Sequence, residues 1–182
     1  MLLVADRITR AQVDEAADFL FSQCDFLNAV DLVIQSGSSS LDESFFDEIW
    51  SEFSLQDMPH LPHSESAARH SLKVSWGVSA GKRCLLMRGR FHIYEGYGRV
   101  PILLPIVALA DCGARNFLFT NASGAVNPAL AKGDLVLIRD QINNLGVSPL
   151  SGHQHLLQDA FVDMTAVYDP ELRESIRRAA ES

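Results

Sequence analysis

Apolar residues recur along this chain with two periods, and the changes between them divide it into elements. Val13, Ala16, Ala17, Leu20, Phe21 and Cys24 fall at intervals of three and four, which predicts an amphipathic helix capped by Thr9. Asp31 to Gln35 is a short apolar run closed by serine and glycine, the pattern of a buried strand and its turn. Between Leu41 and Phe53, the residues Phe45, Phe46, Ile49, Trp50 and Phe53 return to spacings of three and four and predict a second helix with its aromatics in the core. Residues 51–71, rich in proline, histidine and serine, read mostly as a surface loop. Leu72 to Val78 and Arg83 to Arg88 predict two strands joined by a tight turn over Ser79 to Lys82.

Pro101 to Cys112 predicts a helix with proline at its start, a kink at Pro105 and Gly113 as its terminator. Arg115 to Thr120 and Asp134 to Arg139 predict further strands. Asp169 as cap and Pro170 open a last helix with Leu172, Ile176, Ala179 and Ala180 on its apolar face. Strands that alternate with helices and are apolar on both faces imply an α/β fold, with a central mixed β-sheet flanked by helices. With 182 residues, 47% of them hydrophobic, and no linker or repeat, the chain is expected to form a single domain over 1–182.

Charge and cysteines narrow the function. A formal net charge of -8 argues against a nucleic-acid or anionic-membrane partner, since either requires a basic face. Met1 to Ala5 meets Asp6 and Arg7 at once, leaving no apolar run for a signal peptide or membrane span, so a cytoplasmic location is expected. Cys24, Cys84 and Cys112 are widely spaced in apolar surroundings and read as reduced core thiols. His60-x-x-His63 and His153-x-His155 lack cysteine or carboxylate companions at ligand spacing, so they read as loop histidines and no metal is expected.

The candidate chemistry lies in Arg88-Gly89-Arg90-Phe91-His92-Ile93-Tyr94-Glu95-Gly96-Tyr97. Arg90 and His92 are two apart, so an extended backbone points both to one side, where they can grip one anion. For a bare Arg-x-His pair, a solvated strand end is the commoner meaning, but here two tyrosines, a carboxylate and two glycines surround it. The run closely resembles the phosphate- and ribose-binding segment of the trimeric purine nucleoside phosphorylases, Gly-Arg-Phe-His-x-Tyr-Glu-Gly-Tyr. Thr120 to Pro128 and Lys132 to Asn143 resemble the next segments of that family, in the same order. Leu32 to Leu41 resembles its first strand and glycine-rich loop more loosely, and His70 falls on the histidine of its Gly-His-Ala-Gly motif.

The resemblance implies a purine nucleoside phosphorylase, with purine nucleoside and inorganic phosphate as substrates, no cofactor, and a homotrimeric assembly. It places Ser36, His70, Arg90, His92 and the backbone N–H of Ala122 on phosphate. Tyr94 would lie on the ribose, His92 and Tyr94 would be the residues nearest the chemistry, and Asn121, Ala122 and Gly124 would line the substrate. Taken alone, Asn121 to Gly124 fits an ordinary turn equally well. Phe161 falls where the family has a phenylalanine that covers a neighbouring subunit's ribose; without the resemblance it would be core.

Three departures qualify that expectation. The family's purine-holding glutamate and asparagine, its Met-Ser pair and a histidine near the ribose 5′-hydroxyl all follow the part matched here, so an incomplete, weakly active or inactive form is expected. Gln35 and Ser39 replace loop glycines and Ala125 replaces the second glycine of the Asn-Ala turn, a strain if those positions need positive φ. A related methylthioadenosine phosphorylase and a non-catalytic phosphate-binding remnant are the alternatives, and base preference is left open.

Overall fold

The structure is a computed structural model that describes residues 7–25, 29–37, 41–63, 72–146, 148–156 and 161–181. Its first compact unit, Met1–Ala122, is built on a five-stranded sheet of order β2-β3-β4-β1-β5. The strands are β1 (Leu32–Ser36), β2 (Glu48–Ser54), β3 (Lys73–Ser79), β4 (Lys82–Arg88) and β5 (Phe117–Phe119). β1 runs parallel to both β4 and β5, while β3 is antiparallel to its neighbours β2 and β4, so the sheet is mixed as the patterning implies.

Helix α1 (Arg10–Gln23) begins with a reciprocal capping box between Thr9 and Gln12, which satisfies two of the donors a helix start leaves open. It buries Val13, Ala16, Ala17 and Leu20, but Phe21 is 45% exposed at the margin of the stripe. Helix α2 (Val100–Asp111) carries Pro101 in its first turn, continues past Pro105 and is followed by Gly113 at φ 108. Arg10 grips Asp111 through two hydrogen bonds of 2.8 and 2.6 Å, tying α1 to α2. Leu104, Ala108 and Leu109 of α2 are buried, as are Ile34 of β1, Trp76 of β3 and Leu85 and Leu86 of β4. The cysteines are buried free thiols, and burial pushes Cys24 up to about 12 and Cys112 up to about 11.

The β3–β4 hairpin turns through Ala80 and Gly81, at φ 48 and 73. Two successive left-handed residues are the hairpin geometry whose twist matches the flanking strands.

Two expected elements differ. Leu41 to Phe53 is not a helix: a single 3₁₀ turn at Glu43–Phe45 leads into β2. The pairing of β2 with β3 passes from Ile49 opposite Gly77 to Ser51 opposite Trp76, leaving Trp50 as an extra residue in a bulge. That inserted residue breaks the two-residue alternation of a strand and yields the three-and-four spacing of a helix. Trp50 packs edge-on against Trp76, with ring centroids 5.4 Å apart. Much of the expected loop over 51–71 is likewise accounted for by β2 and a 3₁₀ turn at Leu55–Asp57, and residues 64–71 lie outside the described residues.

The second unit, Ser123–Ser182, contains α3 (Pro170–Glu181), capped by the Asp169 carboxylate, which accepts from Glu171 N and Leu172 N. Asp134 to Arg139, expected as a strand, is irregular, with Leu135 97% and Val136 60% exposed. An apolar segment becomes a strand only against a neighbour that takes up its N–H and C=O groups, and no described residue pairs with it. Among the described residues no helix is long and apolar enough to cross a membrane.

Candidate active site

Parallel pairing puts the carboxyl ends of β4, β1 and β5 side by side, so the residues following each strand meet at one edge of the sheet. In open α/β sheets this is where ligands bind, because the chain there leaves its ladder and its backbone groups can turn to a guest. β1 contributes Ser36 and Gly37, β4 leads into Gly89 and Arg90, and β5 leads into Thr120 and Asn121. Short backbone bonds lock the three ends together. Gly89 N donates to Ser36 O at 3.1 Å, and Gly37 N donates to Thr120 O at 3.0 Å and Thr120 Oγ1 at 3.1 Å. Gly89 turns at φ 80, a conformation that favours glycine, and so releases β4 from the sheet just before Arg90.

Arg90 Nη1 donates to Thr120 O at 2.9 Å. One N–H of the fork thereby fixes the guanidinium plane on the β5 side, and the fork's other donors suit a tetrahedral oxyanion. Ser36 is buried at the end of β1, its hydroxyl donating to Gly37 O at 2.9 Å. His92 precedes a 3₁₀ turn at Ile93–Glu95; its backbone N–H donates to Glu95 Oε2 at 2.7 Å, and its ring stacks on Tyr94 with centroids 4.9 Å apart and planes 14° apart. Tyr94 is 79% exposed, an open aromatic side chain beside Arg90 and His92. Phe91 is buried against Tyr97 and anchors the run between Arg90 and His92.

Ser36, at the end of β1, and Arg90, His92, Tyr94, Asn121 and Ala122, on the segments that leave β4 and β5, thus belong to the first unit, while His70 lies outside the described residues. Gly124 and Phe161 belong to the second unit, and Phe161 is 88% exposed there. Gly124 has neither a left-handed backbone nor any atom near an added Cβ, so its lack of a side chain is not demanded by its surroundings among the described residues. The strain anticipated at Gln35 and Ala125 is absent. Gln35 is in β1, paired with Met87 and Phe119, and Ala125 is not at positive φ; Ser39 lies outside the described residues.

The sequence reading passed over Thr120 as a site residue, although it begins the Thr-Asn-Ala run. Its carbonyl and hydroxyl connect all three strand ends. Gly37 faces it so closely that an added Cβ would lie 2.9 Å from Thr120 O and 3.1 Å from Asn121 Cα, both backbone atoms. Gly37→Ala is therefore expected to spread β1 from β5, lowering stability by about 1–3 kcal/mol and weakening phosphate binding. Thermal melts and phosphate calorimetry check both effects; a variant with wild-type values in each would refute the close packing.

Beside the site, Arg88 Nη2 lies 2.8 Å from Glu43 Oε1 and 3.8 Å from Glu52 Oε1, and Lys73 Nζ reaches the same two carboxylates at 3.0 and 2.7 Å. Arg88, the carboxylate's own turn backbone and Lys73 hold the Glu43 carboxyl at about 2. Because this folded value lies below the ordinary 4.5, Glu43 adds stability that is fully present above pH 4.5 and fades as pH falls toward about 2. The stability difference between wild type and Glu43→Gln, followed by denaturant titration, should shrink over that window. A difference that stays constant from neutral pH to pH 2 would contradict the pairing.

Among the described residues no group of three or more His, Cys, Asp or Glu side chains is arranged to hold a metal ion.

Three parallel strand ends thus present an Arg-x-His-x-Tyr run beside a buried serine at one edge of a mixed α/β sheet. Residues 42–182 match the Phosphorylase superfamily, and the chain belongs to it. It is 32% identical to purine nucleoside phosphorylase 1 of Geobacillus stearothermophilus over 95% of this chain and 62% of that protein. With the Bos taurus purine nucleoside phosphorylase it shares 30% identity over 94% of this chain and 60% of that one. In structure it is similar to the purine nucleoside phosphorylase of Schistosoma mansoni in complex with acetate, with a TM-score of 0.83 and 26% identity over 95% of this chain and 64% of that chain. A purine nucleoside phosphorylase in complex with ribose-1-phosphate matches with a TM-score of 0.79 and 26% identity, over 94% of this chain and 63% of that one. The chain therefore spans less than two thirds of the length of these relatives.

Proposed function

We propose that this chain carries the phosphate- and ribose-binding half of a purine nucleoside phosphorylase, which exchanges the base of a purine nucleoside for phosphate. The observation that carries the reading is the convergence of Ser36, Arg90 and Thr120 where β1, β4 and β5 end. In phosphorolysis, a phosphate oxygen bonds to the anomeric carbon as the glycosidic C–N bond breaks, and the purine leaves with the electron pair. The ribosyl carbon gains positive charge in between, so a phosphate dianion held beneath it stabilises the transition state with no covalent enzyme intermediate. Arg90 and His92 orient the anion, Ser36 lies at its base, the N–H of Ala122 completes the cradle, and Tyr94 offers its ring to the ribose.

By the family resemblance, the groups that hold and polarise the departing purine follow the segment that these 182 residues match. We therefore expect inorganic phosphate to bind while turnover of inosine stays low, because contacts made mainly in the transition state set the rate. A coupled assay with inosine and phosphate, run beside a version extended to the relatives' full length, tests this. Equal turnover by both would show that the base site has been misplaced.

Assembly as a homotrimer, with Phe161 at or near the interface, belongs to the same reading. A solvent-exposed phenylalanine is a ready interface anchor. Analytical ultracentrifugation should show self-association that Phe161→Ala weakens; a well-folded monomer at micromolar concentration would count against it.

A further inference from the structure

The Arg88 ion pair has no place in the reaction as proposed, yet it joins the two arms of the anion site. Glu43 lies on the segment that leaves β1 after Ser36 and Gly37; Arg88 is the last residue of β4, in register with Ser36 and two residues before Arg90. The arm bearing Ser36 and the arm bearing Arg90 are thus closed on each other twice, through Gly89 N to Ser36 O and through Arg88 to Glu43. The Arg88 side chain is only 16% exposed, its Nε and Nη2 are shut off from solvent, and Nη2 reaches the Glu43 carboxylate at 2.8 Å, so its charge is compensated by Glu43 and Glu52 rather than by water. Lys73 balances the second carboxylate, and Ser75 Oγ donates to Glu52 Oε1 at 2.8 Å, which holds the far side of the cluster on β2 and β3. Two cations and two carboxylates span three strands and the turn after β1, and only Arg88 borders the phosphate arm.

We propose that Arg88 is a positioning residue: held by Glu43 and Glu52, it fixes the carboxyl end of β4 and so aims Arg90 at the phosphate. The inference rests on Arg90 being a phosphate ligand, as proposed above. Removing Glu43 leaves a poorly solvated guanidinium to seek another partner, and the nearest new anion is the phosphate itself or a displaced carboxylate. Either response turns the Gly89 pivot, whose left-handed backbone is the one flexible link between Arg88 and Arg90.

The test is calorimetric titration of inorganic phosphate into the whole chain and its variants, with thermal melts in parallel. Glu43→Gln and Arg88→Met should each weaken phosphate binding about tenfold, the size of coupling expected within one charged network. Arg88→Lys, which keeps one charged contact, should recover part of the loss. Lys73→Gln, in the same cluster but facing away from the phosphate arm, should lower the melting temperature and leave phosphate affinity unchanged. If all four variants lose affinity in proportion to lost stability, or if Glu43→Gln and Arg88→Met bind phosphate like wild type, the positioning role is overturned. Arg90→Ala separates the two levels. Loss of binding in Arg90→Ala with no effect from Glu43→Gln and Arg88→Met defeats the positioning role alone, whereas an unaffected Arg90→Ala defeats the phosphate site and this inference with it.

Discussion

Arg90→Ala should weaken phosphate binding by about a hundredfold or more, the largest functional effect expected of any single substitution in this chain. The guanidinium supplies paired N–H donors in a rigid plane, and each hydrogen bond to a charged group contributes about 1.5–3 kcal/mol, so losing two removes at least two powers of ten in affinity. The plane is oriented before phosphate arrives, because Nη1 is already bonded to Thr120 O at 2.9 Å. Lysine is a poor substitute: it brings a point charge on a flexible stem and cannot hold the strand end and the anion in one plane. His92→Ala should cost about tenfold by the same measure, since a single directed donor is lost. Titration calorimetry with inorganic phosphate reads both, and unchanged affinity in both variants would remove the run from Arg88 to Tyr97 as the anion cradle.

Gly77→Ala should be the most destabilising single methyl that can be added to the sheet, by about 3–5 kcal/mol. A Cβ at this position would overlap the carbonyl oxygen of Glu48 and come within 3.0 Å of Ile49 Cα and of a ring carbon of Phe46. Backbone atoms cannot rotate away as a side-chain tip can. Relief requires β2 to lift from β3 where the Trp50 bulge already breaks the ladder, and the Trp50–Trp76 contact would separate with it. A fall in melting temperature of about 10 °C or more is expected, with loss of near-ultraviolet circular dichroism from the tryptophans. A variant that melts within about 2 °C of wild type would show that β2 does not pack on Gly77 as described.

The site and the sheet were unequally legible. The Arg90 run carried the family resemblance because it is local: glycines, arginine, histidine and tyrosine fall within ten residues and need no distant partner to be seen together. α1 was equally plain, since Thr9 and the Val13–Leu20 stripe are a local cap and a local face. β2 was misread because an inserted Trp50 imitates helical spacing, and only its pairing with β3 shows that it is a bulge. Asp134 to Arg139 was misread for the opposite reason: its residues favour a strand, but strand formation belongs to a pair and no described residue supplies the second member.

Sequence alone determined the α/β character and the family resemblance carried by the run from Arg88 to Tyr97, because both are written in residue type and short-range spacing. Tertiary structure decided that Thr120 links three strand ends and that a Cβ at Gly37 or Gly77 would force neighbouring backbone to shift. It also paired Arg88 with Glu43, forty-five positions apart in the chain. Those relations depend on which strands lie side by side and in what register. Register is settled by burial and backbone pairing across the whole sheet, and no short window of sequence contains it.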